Sequence, residues 1–222
     1  MSPLRDIVVI GGSAGAVEGM LGIAERLPRG LPASIFLVIH VSPTAPSLLP
    51  RLLERRGPLH SWHPLDGERF EPSVIYVASP DHHLLVRVSD MGVQRGPREN
   101  GHRPAIDALF RSASAAHGAR VLAVVLSGNL RDGAMGLRAV ADAGGAAIVQ
   151  DPQAADYAGM PASALALVPE AEVVPLDAIA ARIVALSGGG APDRLEPRRG
   201  PGRGAMPSLN RLAGPDSPRA PG

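Results

Sequence analysis

Short, almost purely apolar runs punctuate the chain at residues 7–10, 35–39, 74–77, 84–88, 121–126 and 146–149 and around Val173-Val174. Their length and their β-branched content predict strands. Between most of them lie amphipathic stretches at 17–27, 47–56, 105–117, 134–143 and 177–186 that predict helices. Strand and helix patterns alternating in this way predict βαβ units in an α/β fold. The expected architecture is a doubly wound, mostly parallel sheet with helices on both faces. The middle departs from this rhythm. The runs 74–77, 84–88 and 92–95 are joined by Ser-Pro-Asp and Ser-Asp-Met-Gly connections, which predict a small antiparallel hairpin at a sheet edge.

From about Ser187 the pattern ends. Gly188-Gly189-Gly190 opens a segment of Pro, Arg, Gly, Asp and Ser that runs to Gly222 with few apolar residues. Such a segment buries too little surface to offset its ordering entropy, so a folded domain over 1–186 and a disordered Arg/Gly/Pro-rich tail over 187–222 are expected. The tail's six Arg against three acidic residues leave an anionic partner as the weaker reading beside a solvated low-complexity tail.

Composition narrows the function classes. A chain of 222 residues suits one well-buried domain, and with 3% aromatic residues its core must be built from Val, Leu, Ile and Ala. The formal net charge of +1 argues against a nucleic-acid surface working by bulk electrostatics. Every basic residue is Arg, spread along the chain rather than clustered. There is no cysteine, which excludes disulfides, thiolate nucleophiles and Cys-based zinc sites. No apolar run reaches the length of a membrane span, so a cytoplasmic protein without membrane insertion is expected.

Three reactive side chains stand just past the carboxyl ends of predicted strands. Ser13 lies in Gly11-Gly12-Ser13-Ala14-Gly15, a G-x-S-x-G turn between a strand and a helix. His40 follows the run 35–39, and Asp132 follows the run 121–126 within Ser127-Gly128-Asn129-Leu130-Arg131-Asp132-Gly133. Ligand crevices of open α/β sheets form at those strand ends, so the three can converge although far apart in sequence. Together they make a nucleophile, a base and an orienting acid for acyl transfer. Backbone amides near Ala14 and around Asn129 are candidates for the oxyanion hole. Each residue also has a plainer reading: a tight turn or phosphate loop at residues 11–15, a satisfied strand-end polar group at His40, and a helix N-cap at Asp132. His60 and His63 read as surface loop residues. No metal-ligand spacing appears, and no cofactor is called for.

Rival hydrolases fit less well. A patatin-like lipase needs a glycine-rich loop upstream of its serine, and an α/β-hydrolase carries its residues in the order Ser, Asp, His. A nucleotide-binding domain would show the Lys of a P-loop or G-x-G-x-x-G, and neither is present. A catalytically idle scaffold of the same fold stays open.

In order and spacing, these segments resemble the catalytic domain of the chemotaxis protein-glutamate methylesterase (CheB) family. The likeness runs from Asp6 to about Leu186. It includes the Ser13 turn, Ile39-His40-Val41-Ser42-Pro43, Tyr76-Val77-Ala78-Ser79-Pro80-Asp81-His82-His83, His102-Arg103-Pro104-Ala105-Ile106-Asp107 and the Asp132 loop. The resemblance implies hydrolysis of glutamate methyl esters on a methylated chemoreceptor or receptor-like protein, with deamidation of receptor glutamines as a companion activity. It carries over Ser13, His40 and Asp132 as the triad and places His83, His102 and Arg103 near the cleft. The chain departs from the family where Asn129-Leu130-Arg131 replaces a methionine-containing segment and Val41-Ser42 replaces Met-Pro. It also resembles the catalytic domain alone, without the receiver domain, which leaves room for a separate regulator.

Overall fold

The computed structural model describes residues 4–40 and 47–189. Val41-Ser42 and the tail from residue 190 onward therefore lie outside the described residues.

Seven strands form one sheet: β1 (Ile7–Gly12), β2 (Ser34–Ile39), β3 (His60–Trp62), β4 (Val74–Val77), β7 (Val121–Val125), β8 (Ala146–Gln150) and β9 (Glu172–Val174). Their order is β3-β4-β2-β1-β7-β8-β9, and every pairing is parallel. The chain winds outward from β1 in one direction and then returns to β7 on the other flank of β1. The topological switch point thus falls between β1 and β7, where an open α/β sheet forms its crevice.

The central strands are buried on both faces, and alternation along them sorts side chains into two cores. Val8, Ile10, Ile35, Leu37, Leu122 and Val124 face one way, towards α1 (Ala16–Arg26), α2 (Leu49–Arg56) and α6 (Leu176–Leu186). Ile7, Val9, Phe36, Val38, Ala123 and Val125 face the other way, towards α3 (Ile106–His117), α4 (Ala134–Asp142) and α5 (Gly159–Leu167). The doubly wound reading therefore holds. The antiparallel pair, β5 (His83–Val86) with β6 (Met91–Gln94), forms its own two-stranded sheet packed on α3.

Three elements differ from expectation. Residues 60–62 form an edge strand rather than a loop. Only Ser61 is buried there, and one inward side chain in three leaves no readable alternation. The helix α5 went unmarked because Gly159-Met160-Pro161 opens it and apolar residues surround it without a helical period. Ser187 belongs to the folded body rather than to the tail. It is fully buried, and its hydroxyl donates to the Arg5 carbonyl at 2.8 Å.

Candidate active site

Three adjacent strands deliver the three candidate residues. The pairing of Gly12 with Ile39 makes His40 the residue beside the end of β1, and the His40 N–H donates to the Gly12 carbonyl at 3.1 Å. On the other flank the Leu126 N–H donates to Gly11 O at 2.8 Å, and the Ser13 N–H donates to Ser127 O at 2.9 Å. Ser13 therefore stands between the carboxyl ends of β2 and β7, and its turn is tied to the β7 side.

The turn depends on glycine at two contacts. Gly15 has φ 76°, and a β-carbon there would meet Ser127 Oγ at 2.9 Å and Asp156 Cβ at 3.0 Å. At Gly128 a β-carbon would fall 2.9 Å from Ser13 Cβ and 2.2 Å from Met160 Sδ. Ser127 fastens the same region, because its hydroxyl donates to Ala14 O at 2.9 Å and accepts the Tyr157 N–H at 3.0 Å. Ala14 and the Asn129 loop are thus both held beside Ser13, Ala14 half-buried and Asn129 exposed.

His40 and Asp132 are in direct contact, with Nε2 2.9 Å from Oδ2. Asp132 is only 2% exposed. Its Oδ2 also accepts the Ile106 N–H at 2.8 Å, while Oδ1 accepts Asn100 Nδ2 at 2.9 Å and the Asp107 N–H at 3.2 Å. Burial pushes the Asp132 carboxyl upward, but the bonds from His40, Ile106, Asn100 and Asp107 outweigh it and hold the group below the ordinary aspartate range. The carboxylate is thereby kept ionised, as an orienting acid must be. His40 Nδ1 is buried and has no hydrogen-bond partner among the described residues. The arrangement is a base with one nitrogen committed to a carboxylate and the other free to take a proton.

The remaining predicted residues divide. His102 joins the site: its ring stacks on His40 with centroids 3.8 Å apart and planes 8° from parallel. Burial first, and then the neighbouring His40, lower its pKa, so His102 favours the neutral form. With Asn100, Leu130, Arg131, Asp132 and Ser163 it lines a cleft of about 520 Å³. His83 and Arg103 are occupied elsewhere. His83 is 3% exposed, its Nε2–H donates to Pro97 O at 2.8 Å, and its Nδ1 accepts the Ala105 N–H at 3.2 Å. Both ring nitrogens are spent on backbone, so His83 braces the start of α3 and has no group left for a substrate. Arg103 donates to Asp81 Oδ1 from Nε at 2.9 Å and Nη2 at 2.6 Å, and to Gly96 O from Nη1 at 2.6 Å. It ties the segment before α3 to the loop after β4.

Two residues at the site carry no expectation from sequence, Asn100 and Asp107. Asn100 has φ 51° and Gly101 φ 81°, and Glu99 and His102 exchange backbone hydrogen bonds across them. This is the two-residue turn with both central residues at positive φ, for which Asn-Gly is the strongest signal.

Comparison with known proteins places the chain in a family. The family model described as CheB methylesterase matches residues 8–183. A protein-glutamate methylesterase/protein-glutamine glutaminase of Anaeromyxobacter dehalogenans is 35% identical over 186 residues, covering 82% of this chain and 52% of that protein. A Leptospira interrogans relative whose name carries the same two activities is 34% identical over 182 residues, covering 82% of this chain and 94% of that one. The CheB methylesterase catalytic domain of Thermotoga maritima superposes with a TM-score of 0.78 at 29% identity, over 83% of this chain and all of that one. The chain spans about half the length of several curated relatives that it matches. With the matched region enclosing the strand ends that carry Ser13, His40 and Asp132, the chain belongs to the CheB methylesterase family.

Proposed function

We propose that this protein is a serine hydrolase that removes methyl groups from glutamate methyl esters of a chemoreceptor, releasing methanol, and that deamidates receptor glutamines at the same site. The reading rests on one observation above the others. His40 holds Asp132 through Nε2 at 2.9 Å, and its buried Nδ1, at the strand end beside Ser13, has no hydrogen-bond partner among the described residues. The relatives' names supply the substrate class.

In this mechanism Ser13 Oγ bonds to the ester carbonyl carbon while its proton passes to His40 Nδ1. The imidazolium so formed donates through Nε2–H to the ionised Asp132, which fixes the tautomer and stabilises the charge. Amides at the Ala14 turn and the Asn129 loop receive the developing oxyanion. Collapse expels the methoxy group, which takes the proton from Nδ1 and leaves as methanol. Water then gives a proton to Nδ1 as its oxygen bonds to the acyl carbon; the bond to Ser13 Oγ breaks, Oγ takes the proton back from Nδ1, and the product leaves as the glutamate carboxylate after losing its acid proton to solvent. A glutamine amide follows the same path and loses ammonia.

A second reading, an esterase of this fold acting on another ester, draws on Leu130 and Arg131. Both line the cleft, in the segment where the chain departs from the family's methionine-containing loop. Mass spectrometry of a methylated receptor cytoplasmic fragment separates the two. Loss of methyl groups at individual glutamates is expected, and turnover confined to unrelated esters would overturn the receptor assignment. On the same reading the protein acts in the cytoplasm; among the described residues no helix is long and apolar enough to cross a membrane.

A further inference from the structure

Asp132 has two oxygens and only one serves His40. The other, Oδ1, accepts Asn100 Nδ2 at 2.9 Å, and the same Nδ2 donates to Asp107 Oδ2 at 2.7 Å. One amide group thus spans two buried carboxylates, with its two hydrogens directed one to each. The assignment of nitrogen and oxygen in this side chain is forced, because an amide oxygen facing two carboxylates would be repelled by both. Asp107 is anchored from its far side, its Oδ1 accepting the Gly133 N–H at 3.1 Å and the Gly136 N–H at 2.6 Å.

We propose that Asn100 is a positioning residue of the triad, acting through Asp132: its amide locks Oδ1 to Asp107, so that the carboxylate presents Oδ2 to His40 in one rotamer. The proposal rests on the triad reading above and adds a residue outside it. The turn explains why asparagine occupies the position. Residue 100 must adopt a positive φ, which asparagine tolerates better than other residues with side chains, and must also carry two donors on a short stem. The turn has a second product. Two residues on, it sets the His102 ring against His40, so one Asn-Gly turn orients the orienting acid and stacks on the base.

The test is Asn100→Gly, because glycine keeps a positive-φ turn while removing the side chain that bridges the two carboxylates. The readouts are steady-state kinetics on a small activated ester such as p-nitrophenyl acetate, thermal melting, and the downfield proton resonance of the His40–Asp132 hydrogen bond. The resonance reports on the pair even if wild type turns that ester over slowly, and it does not depend on the receptor being the natural substrate. Expected are a kcat reduced about ten- to a hundredfold with KM within about twofold, as for small misplacements of catalytic groups, and a broadened or shifted resonance. Asn100→Asp keeps the turn but adds a third carboxylate, and is expected to lose more activity than the glycine variant. Wild-type kcat and an unchanged resonance in Asn100→Gly would overturn the proposal. A loss that appears in melting temperature alone would overturn it too, making Asn100 a turn residue and nothing more.

Discussion

Asp132 and Asp107 exchange helix caps. Asp132, two residues before α4, accepts the Ile106 and Asp107 amides that open α3, while Asp107, in the first turn of α3, accepts the Gly133 and Gly136 amides that open α4. Each carboxylate satisfies the orphan donors of the other's helix and gains the favourable end of its dipole. The two helices and the carboxylate that meets His40 are therefore one mechanical unit. The plain reading of Asp132 as a cap was half right: it caps a helix, but the one 26 residues earlier, and it bonds to the His40 ring at the same time.

The two carboxylates make opposite contributions to the pH dependence of stability. Asp132 is held below its ordinary range, so its contribution is present above the unfolded pKa and is lost as pH falls through the folded value. Asp107 is pushed up, chiefly by burial, so the folded state holds its proton longer and stability falls as pH rises from the unfolded value towards the folded one. Urea unfolding followed from neutral pH down through the ordinary aspartate value of 3.8 and below should show Asp132→Asn losing part of the acid-side decline of the wild type. Asp107→Asn should show a steeper rise with pH than the wild type. Slopes changed in the same direction by both substitutions would contradict this.

Gly128→Ala should impair catalysis more than folding. The new methyl would fall 2.9 Å from Ser13 Cβ and 2.2 Å from Met160 Sδ, and Met160 is fully buried. Overpacking of this kind costs about 1–3 kcal/mol, while a displacement of Ser13 approaching 1 Å costs about a hundredfold in rate. Calorimetry and ester kinetics on the same sample check the pair. A variant with a lowered melting temperature and full kcat would show that the serine does not feel Gly128.

His102 should act through the shape of its ring. The rings lie parallel at 3.8 Å, and its lowered pKa keeps it neutral, so a proton on His40 meets no second positive charge from its stacking partner. His102→Phe preserves a flat face and should retain most of kcat, whereas His102→Ala should lose about tenfold or more as His40 gains freedom. Equal activity in both would leave the stack without a role in turnover.

Most of the fold was legible because its signal is local. Runs such as residues 35–39 and 121–126 are buried on both faces and leave unbroken apolar stretches. Placing Ser13, His40 and Asp132 each at a strand end anticipated that β1, β2 and β7 lie side by side and that His40 meets Asp132. What stayed hidden depends on partners distant in sequence. His83 looked like a cleft residue, but Pro97 and Ala105 consume its ring nitrogens, and Asp81 does the same to Arg103. Asn100-Gly101 was readable as a turn, yet the polar residues flanking it gave no strand pattern, and nothing local announces that Asn100 reaches Asp132. The edge strand at 60–62 and the helix α5 lack the periodicity by which such elements are found.

The most direct measurement is methanol release from methylated chemoreceptor cytoplasmic fragments by wild type and by Ser13→Ala. The turn is held through the Ser13 backbone N–H, which donates to Ser127 O and which alanine retains. The variant should therefore melt with the wild type. Loss of a triad nucleophile reduces turnover by about six orders of magnitude in well-studied serine hydrolases, so release should vanish. Methanol release by Ser13→Ala at the wild-type rate would remove Ser13 from the chemistry and contradict the account at its centre.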